Sequence, residues 1–481
     1  MLLYVLKIGP EDLVEKEGVF VTDKKKGPRA AAHDNMTRGK IVLPLISFTI
    51  PLVLGNLFQL TYNAADSVIV GKFVGKEALA AVGTSTPIMN LAILLISGMC
   101  MGASVLMSAQ YGAEDFDTLK RQISTTMLAG GGFSIVFSFV MLFLSSFVLA
   151  LIRVPVEVIP QASAYLRIIF LGLVFTFIYN FLANTMRALG DSKTPLYFLV
   201  VSAFLNVLGD ILFVAVFRWG VIGSAVSTVL SEALCCVLCG IYIKKRIPLL
   251  CLGKGWFVFD RRLLGKTVSY GTTSALQQMC LQVGKIMIQS MVNTQGVSVI
   301  AAFTAVNRVD DFAYTPQQNI GHAMTTFIAQ NKGAGHKERI RKGFLMGILI
   351  EMVYSAILLA VIFLLAPQIM GLFAQEGDLG VIELGTEYLK LIAFLYFLPG
   401  LTNGIQGFFR GIGDMKVTLY STFMNMLGRV VALFFLLYVA KTGFASLAWA
   451  NMAGWVLMLL FEVPLLARSL KDQTFSFSNM R

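Results

Sequence analysis

Three acidic residues stand inside long apolar stretches of this sequence: Asp66, Asp210 and Glu232. A charged side chain in the hydrocarbon core of a membrane is costly, and it usually marks a site for an ion, a proton or a substrate. Asn206 lies one helical turn before Asp210, and Thr228 lies one turn before Glu232. Such a set of oxygen atoms can bind a small hard cation such as Na+. Because two carboxylates repel each other in a low-dielectric pocket, the set can instead take up a proton.

These residues are expected at the same depth in the membrane. Asp66 lies six residues before Lys72, and Asp210 lies eight before Arg218, close to the ends of their apolar stretches. Thr228 lies eight residues into the next stretch. At 1.5 Å per residue, all three lie on the order of 10 Å below one membrane surface. We therefore predict one site for protonation or for Na+, formed by Asp66, Asn206, Asp210 and Thr228.

A wider set of polar residues is expected to line a substrate cavity. Its members are Gln59, Tyr62, Asn63, Asn180, Glu232, Lys285, Asp310, Asp311 and Arg429. We interpret Asp310 and Asp311 as partners of Lys285 and Arg308 rather than as a second ion site. For each of the buried acids, the structural alternative is a hydrogen bond to a neighbouring helix.

The composition places all of these residues in a membrane protein. Of 481 residues, 56% are hydrophobic and 14% are charged, with a mean hydropathy of +0.74. A soluble chain carries about a quarter of charged residues. The apolar runs are continuous, which predicts helices rather than the alternating strands of a membrane barrel. We attribute the net charge of +12 to basic loops on one side of the membrane, not to nucleic-acid binding.

Twelve apolar segments predict an all-α polytopic membrane protein with twelve transmembrane helices. An even number places both termini on one side, and the loops rich in Lys and Arg identify that side as the cytoplasm. We expect a multi-pass protein of the plasma (inner) membrane. The segments cover residues 42–71, 78–109, 122–150, 160–186, 195–217, 221–243, 267–292, 298–330, 343–366, 383–408, 417–439 and 444–467.

The second half of the chain repeats the plan of the first. The corner that runs from Arg187 to Asp191 returns 223 residues later, from Arg410 to Asp414. Six helices bring the chain back to its starting side, so the copies run parallel and are related by an axis along the membrane normal. Repeated halves of this kind are typical of secondary transporters.

The two copies differ at the predicted ion site. Asn206 and Asp210 of the first copy correspond to Arg429 and Leu433 of the second. The C-terminal copy therefore replaces an amide and a carboxylate with a guanidinium and an apolar side chain. We expect the ion site in the N-terminal copy alone.

The repeat sets the expected domain boundaries. Residues 1–40 form a polar extension without a sustained helical pattern, which we expect to be disordered. An N-lobe (41–243) and a C-lobe (267–467) hold six helices each, joined by a cytoplasmic linker (244–266), and a cytoplasmic tail (468–481) follows. Because one chain encloses a complete cleft between its lobes, we expect the monomer to be functional.

The sequence resembles the MATE family of multidrug and toxic-compound extrusion transporters across roughly residues 36–470. The resemblance rests on MRALGDSKTP, FFRGIGDMK, SFTIPLVLGNLFQLTYNAADSVIVGKFVGKEALAAVG and the helix ends SAQYGA and IAQNKGA. It implies two six-helix lobes that alternate between outward-open and inward-open V shapes. It also implies export of small organic molecules driven by Na+ or H+, with no other cofactor.

One branch of this family keeps its cation site in the N-lobe, on residues that correspond here to Asp66, Asn206, Asp210 and Thr228, with a tyrosine that corresponds to Tyr62. Another branch uses acids in helices seven and ten, and the matching stretches of this chain contain none. The resemblance thus implies an N-lobe site and organic, cationic substrates. Membrane lipids are the only other partners that we expect, and nucleic acid is not one.

Three alternatives remain at this point. A lipid-linked precursor flippase of the same superfamily would have a cationic central cavity, which only Lys285 and Arg429 favour. An intramembrane aspartyl protease is suggested by Gly411-Ile-Gly413-Asp414, but this motif lies in a basic corner between helices. Phosphate-loop and HExxH motifs are absent from the sequence, so we expect no enzyme. A channel is disfavoured because no filter-like segment occurs.

Overall fold

The computed structural model describes residues 36–152, 154–250, 253, 257–372 and 379–472. Their long elements are all α-helices, which we number α1 to α12, with the tenth divided into α10a and α10b. The helices are α1 (Val42–Phe73), α2 (Lys76–Gly112), α3 (Phe116–Leu151), α4 (Ile159–Ala188), α5 (Lys193–Asp210), α6 (Gly220–Arg246), α7 (Arg261–Val292), α8 (Val297–Gly333), α9 (Lys337–Gly371), α10a (Leu379–Leu395), α10b (Phe397–Gly411), α11 (Met415–Phe434) and α12 (Ser446–Asp472).

Nine helices in the described part of the chain are long and apolar enough to cross a membrane on composition alone. α7 and α8 are more polar, but they contain 32 and 37 residues, well above the roughly twenty that a crossing needs. α10 is interrupted at Tyr396 into pieces of 17 and 15 residues, which cross the membrane only together. The predicted all-α fold with twelve transmembrane helices is confirmed.

The two sides of the membrane differ in charge. The start of α1, the end of α12 and every connection after an even-numbered helix lie on one side. We call it the basic side, because these connections carry most of the Lys and Arg residues outside the helices' apolar parts. The other is called the opposite side. α1 to α6 form the N-lobe, and α7 to α12 form the C-lobe.

The repeat is visible in the backbone. Gly190 and Gly413, which follow α4 and α10b, both adopt a positive φ, at 92° and 84°. A residue with a Cβ atom would be strained there, so the glycine at each corner is required. Both α5 and α11 pass into a π-helical segment, at Ile211–Val216 and Phe435–Val439. The two lobes therefore share their turns and helix irregularities as well as their helix count.

The lobes touch each other on the basic side. α2 packs against α7 and α8, and α1 packs against α8. A Cβ atom on Gly112 would lie 1.9 Å from the carbonyl oxygen of Gln330, and one on Gly333 would lie 1.9 Å from that of Ala109. No side chain fits at these distances, so α2 and α8 cross with their backbones in contact. We call this crossing of Ala109–Gly112 with Gln330–Gly333 the basic-side gate.

The cleft between the lobes opens toward the opposite side. A hydrogen bond of 3.3 Å from Asn56 Nδ2 to Asn319 Oδ1 joins the lobes near the middle of the membrane. Beyond it, Gln59, Lys285 and Arg308 on the inner helices are exposed. Polar side chains at this depth require water rather than lipid around them. The lobes are therefore closed at the basic side and parted at the opposite side.

The first helix of each lobe begins against the other lobe. On α1, Leu45 packs into an apolar cluster with Phe327 of the C-lobe, whereas the far half of α1 carries Asp66 into the N-lobe. α7 is arranged in the same way, since Gln122 of the N-lobe donates to Thr267 Oγ1 at 2.6 Å. α1 and α7 therefore each contact both lobes.

The ends of the lobes differ from the predicted boundaries. α6 continues to Arg246, α7 begins at Arg261 and α12 continues to Asp472, so the helices reach into the predicted linker and tail. Of the predicted extension, residues 1–35 lie outside the described residues. Met36 is buried, and its carbonyl oxygen accepts hydrogen bonds from Asn331 Nδ2 and from Arg339 Nη2, each at 3.1 Å. Residues 36–40 thus differ from the expectation of disorder, because they accept hydrogen bonds from side chains at the end of α8 and the start of α9.

Candidate functional site

α1, α5 and α6 bring the four predicted ion-site residues together inside the N-lobe. Asp66 Oδ1 accepts a hydrogen bond of 2.7 Å from Ser224 Oγ, and the carboxyl groups of Asp66 and Asp210 face each other. Asn206 Nδ2 donates to Thr228 Oγ1 at 3.1 Å. The structure therefore places two carboxylates, an amide and a hydroxyl group in one cluster.

Three buried oxygen atoms at the centre of this cluster have no hydrogen-bond partner among the described residues: both carboxylate oxygens of Asp210 and Oδ1 of Asn206. Asp210 is fully buried, and Asn206 is 3% exposed. A buried acceptor without a donor is unfavourable, and an uncompensated buried carboxylate is more so. Such an arrangement is stabilised when a proton or a cation lies between Asp66 and Asp210.

The chemistry of the donors fits a hard monovalent cation as well as a proton. Carboxylate, amide and hydroxyl oxygens are the ligands that hard cations prefer. Within the described residues, no group of three or more His, Cys, Asp and Glu side chains could hold a metal ion. The set is therefore unlike the sites that bind transition metals, which use imidazole and thiolate ligands.

Close packing of α5 on α6 positions the site. A Cβ atom on Gly209 would lie 2.4 Å from Ser227 Oγ, so the absence of a side chain lets the two helices approach. Ser227 Oγ then donates to the carbonyl oxygen of Asn206 at 2.7 Å. Directly after Asp210, α5 changes to its π-helical segment. Single π-helical turns are frequent at functional sites, because they re-aim the side chains beside them.

Sequence reasoning missed Ser224 and Ser227. A signal was present, since Ser224 lies one turn before Thr228 on the same face of α6. Serine is common in membrane helices, however, and a single hydroxyl group does not stand out as a charged residue does. Only the position of α1 relative to α6 shows that Ser224 supports Asp66.

Glu232 forms a second acidic position in the N-lobe, one helical turn closer to the basic side than Thr228. Thr176 Oγ1 donates to Glu232 Oε2 at 2.6 Å, and Asn180 Nδ2 donates to the carbonyl oxygen of Thr176 at 2.9 Å. The hydroxyl group of Tyr62 lies within electrostatic reach of Glu232. Tyr62, Asn180 and Glu232 are therefore neighbours, and Gln59 forms a side-chain hydrogen bond with Tyr62. Gln59 and Asn63 are both exposed on α1.

The corresponding place in the C-lobe is built differently. Arg429 and Asn451, which follow Asn206 and Thr228 by 223 residues, line a cavity together with Asp310. The cavity has about 20 Å³ of space, which is enough for one water molecule. This cavity within the C-lobe is therefore lined by one fixed positive charge, on Arg429, and by one carboxylate, on Asp310.

The predicted pairing of Asp310 and Asp311 holds for only one of them. Lys285 Nζ lies 3.7 Å from Asp311 Oδ1, as expected. Asp310 is buried instead, and it accepts hydrogen bonds from Tyr396 at 2.5 Å and Tyr388 at 3.2 Å. Consecutive residues on a helix are about 100° apart around its axis, so the two acids cannot share a direction. Asp310 is therefore a partner of two tyrosines and not of Arg308.

Known proteins resemble this chain in sequence, and solved structures resemble it in fold. The MatE family model matches residues 51–212 and 274–436, one segment in each lobe. The probable multidrug resistance protein YpnP of Bacillus subtilis (strain 168) is 32% identical over 390 residues, which cover 81% of this chain and 86% of that protein. The probable multidrug resistance protein YoeA of the same organism is 28% identical over 375 residues, which cover 76% of this chain and 81% of YoeA.

Two solved structures show the same fold. One is described as the outward-facing conformation of a multidrug resistance MATE family transporter of the MOP superfamily. It has a TM-score of 0.85 at 22% identity and covers 92% of this chain and 100% of that chain. A crystal structure of MATE in complex with MaD3S has a TM-score of 0.85 at 21% identity, with the same coverage. Because the family model matches more than half of its residues, this chain belongs to the MATE family and is a membrane transporter rather than an enzyme.

Proposed function

We propose that this protein is a secondary multidrug efflux transporter that exports organic, cationic compounds in exchange for H+ or Na+. The observation that carries the proposal is the group of unpartnered oxygen atoms inside the N-lobe, on Asp210, whose carboxyl group faces Asp66, and on Asn206, one helical turn before it. The names of the similar proteins support efflux of drugs. We place the protein in the plasma (inner) membrane with its basic side in the cytoplasm, as the positive-inside rule expects.

The proposed cycle begins in the conformation with the basic-side gate closed. An ion from outside binds between Asp66 and Asp210 and removes the repulsion between their carboxylates. α1, α5 and α6 then pack more closely, and α1 transmits the change to the C-lobe, against which its first half packs. The substrate leaves toward the outside, and the gate then opens toward the cytoplasm. There the ion leaves, and the uncovered acids accept the next organic cation.

Competition for negative charge couples the inward movement of the ion to the outward movement of the substrate. The ion and the organic cation are both stabilised by the N-lobe acids, so binding of one lowers the affinity for the other. A coupling free energy of this kind is reciprocal, and a gradient of the ion therefore drives export of the substrate. The C-lobe does not take part in this competition, because Arg429 already supplies a positive charge there.

Purified protein in liposomes tests the proposal and identifies the ion. Efflux of ethidium is measured by its fluorescence under an imposed proton gradient, an imposed Na+ gradient and no gradient. We expect one of the two gradients to drive efflux well above the rate without a gradient. If neither gradient drives transport of ethidium or of other organic cations, the exchange mechanism is wrong and a lipid-linked precursor becomes the substrate to test.

Glu232 is expected to bind the positive group of the substrate. Replacing it with Gln removes a negative charge that lies outside the Asp66–Asp210 pair, while Thr176 can still donate to the amide oxygen. We expect efflux of ethidium to fall about 10- to 100-fold, since hydrogen bonds to charged groups contribute about 1.5–3 kcal/mol. The measurement is the concentration dependence of ethidium efflux in liposomes.

A neutral substrate and a remote acid provide the controls for Glu232. Efflux of an uncharged dye is expected to change little in Glu232→Gln. Glu383→Gln alters an exposed acid on α10a and is expected to behave as wild type. Equal losses for charged and uncharged dyes would indicate a structural role for Glu232 instead.

A further inference from the structure

Two arginines and a histidine lie together where the lobes meet, next to the basic-side gate and on its cleft side. Arg187 is in the last turn of α4, and Arg410 is in the last turn of α10b. The sequence pattern places both residues in the corners that follow these helices. Both lie within electrostatic reach of His322 on α8. Next to Arg187, Gln330 Nε2 of the C-lobe donates to the carbonyl oxygen of Ala188 in the N-lobe at 2.8 Å. We call Arg187, His322 and Arg410 the arginine floor.

The hydrogen bonds of the arginine floor define its charge. Arg410 Nη1 lies 3.2 Å from His322 Nδ1, and a guanidinium can only donate, so Nδ1 must accept. The ring therefore carries its proton on Nε2 and is neutral, which leaves two fixed positive charges. The Nε atoms of Arg187 and Arg410 are buried without a hydrogen-bond partner among the described residues. Glu462 lies within electrostatic reach of Arg410.

A chain of polar side chains leads from the arginine floor into the C-lobe. Arg410 Nη2 donates to Gln406 Oε1 at 3.1 Å, and Gln406 Nε2 donates to Thr422 Oγ1 at 3.1 Å. Gln277 Nε2 also donates to Thr422 Oγ1, at 3.0 Å, and the fully buried Glu462 lies beside Gln406. Of the groups in this chain of side chains, the Thr422 hydroxyl and the Glu462 carboxyl are of the kind that relays protons inside a membrane. Packed helices alone do not stop this, because a proton moves along hydrogen bonds and needs no open pore.

We propose that Arg187 and Arg410 are an electrostatic barrier that prevents H+ from crossing the closed basic-side gate. Fixed positive charge at a narrow, low-dielectric point excludes cations from other membrane pathways. The backbone contact of Gly112 with Gln330 and of Gly333 with Ala109 excludes molecules of drug size. The two arginines exclude the proton, which can move along hydrogen bonds through such a contact.

The expected size of the barrier follows from simple electrostatics. A cation that passes about 6 Å from one guanidinium, at an effective dielectric constant of about 20, is slowed on the order of 100-fold. Without the barrier, a gradient across the membrane would leak through the protein during every period in which the cleft is open to the outside. The inference concerns leakage and is not a step of the proposed exchange.

Leakage is measured in liposomes without any drug. A pH-sensitive dye inside liposomes reports the collapse of an imposed proton gradient, and a parallel set with dyes for Na+ and for chloride reports the other ions. We expect Arg187→Gln and Arg410→Gln to raise the leak of H+ by 10- to 100-fold and to leave the leaks of Na+ and chloride unchanged. Arg187→Lys and Arg410→Lys keep the positive charge and are expected to leak at the wild-type rate. The same rate is expected for His322→Gln.

Each other outcome overturns the proposal. A leak that rises equally for Na+ or chloride, or that rises in the Lys variants, would show that the arginines only support packing of the gate. No rise in either Gln variant would show that the backbone contact is a sufficient seal. Arg187→Gln and Arg187→Lys decide the matter if Arg410→Gln does not fold, since Arg410 has the buried hydrogen bonds. Asp66→Asn should abolish exchange without a leak, which separates this test from that of the proposed function.

Discussion

Replacing Asp210 with Asn should lower gradient-driven efflux of ethidium on the order of 100-fold. The substitution keeps the shape of the side chain and removes one of the two negative charges that the ion neutralises. Asp66→Asn should have the same effect, because the carboxyl groups of Asp66 and Asp210 face each other. Efflux from liposomes under the driving gradient provides the measurement, and direct titration with the coupling ion should show that binding is lost.

The stability of these variants distinguishes an ion site from a structural hydrogen bond. Asp210 has a fully buried carboxylate without a hydrogen-bond partner among the described residues. Because a neutral amide is less costly to bury, the Asp210→Asn protein should have the same melting temperature as wild type or a higher one. A structural role predicts a lower melting temperature together with the lower efflux. Asp117→Asn, on an exposed acid in the first turn of α3, is the matched control. Full efflux in both Asp66→Asn and Asp210→Asn would place the coupling ion elsewhere.

Replacing Gly333 with Val should abolish transport by preventing closure of the basic-side gate. A Cβ atom at this position would lie 1.9 Å from the carbonyl oxygen of Ala109, and backbone atoms cannot move aside as a flexible side chain can. α2 and α8 must therefore separate, which favours the conformation open to the basic side. We expect a loss of efflux on the order of 100-fold, and Gly112→Val should reproduce it through Gln330.

Hydrogen–deuterium exchange tests the mechanism of this loss. In Gly333→Val, the backbone amides at the ends of α2 and α8 should exchange faster, while those of α5 and α6 at the ion site should not change. Gly132→Val is the control, because no atom lies within 4 Å of the Cβ position on Gly132. Efflux at the wild-type rate in Gly333→Val would mean that the lobes do not need to touch at this crossing.

The cluster of Asp66, Asn206, Asp210 and Thr228 could be predicted from the sequence because membrane helices keep a constant rise. Counting residues from the end of each apolar stretch gives depth, and the acids mark the faces that avoid lipid. The same reasoning gave twelve helices and two lobes. It worked because each of these features depends on one helix at a time and on the repeat.

Features that depend on how helices dock could not be predicted in this way. Gly112 and Gly333 look like ordinary small residues of membrane helices until α2 and α8 are placed against each other. Arg187 and Arg410 could be assigned to basic corners, but only the docked lobes bring both to His322. Tyr396 interrupts an apolar stretch that reads as one continuous helix, and the direction of Asp310 depends on the rotation of α8.

The guanidinium of Arg429 lies in the place where the N-lobe has Asn206. Its fixed charge affects how much net charge the proposed transport moves in each cycle. In the proposed exchange, the Asp66–Asp210 pair of the N-lobe carries the exchangeable ion, while the C-lobe holds the fixed charge of Arg429. One monovalent ion moving inward against one monovalent organic cation moving outward transfers no net charge. At that stoichiometry, transport would draw on the concentration difference of the ion alone, and the membrane voltage would neither help nor oppose it.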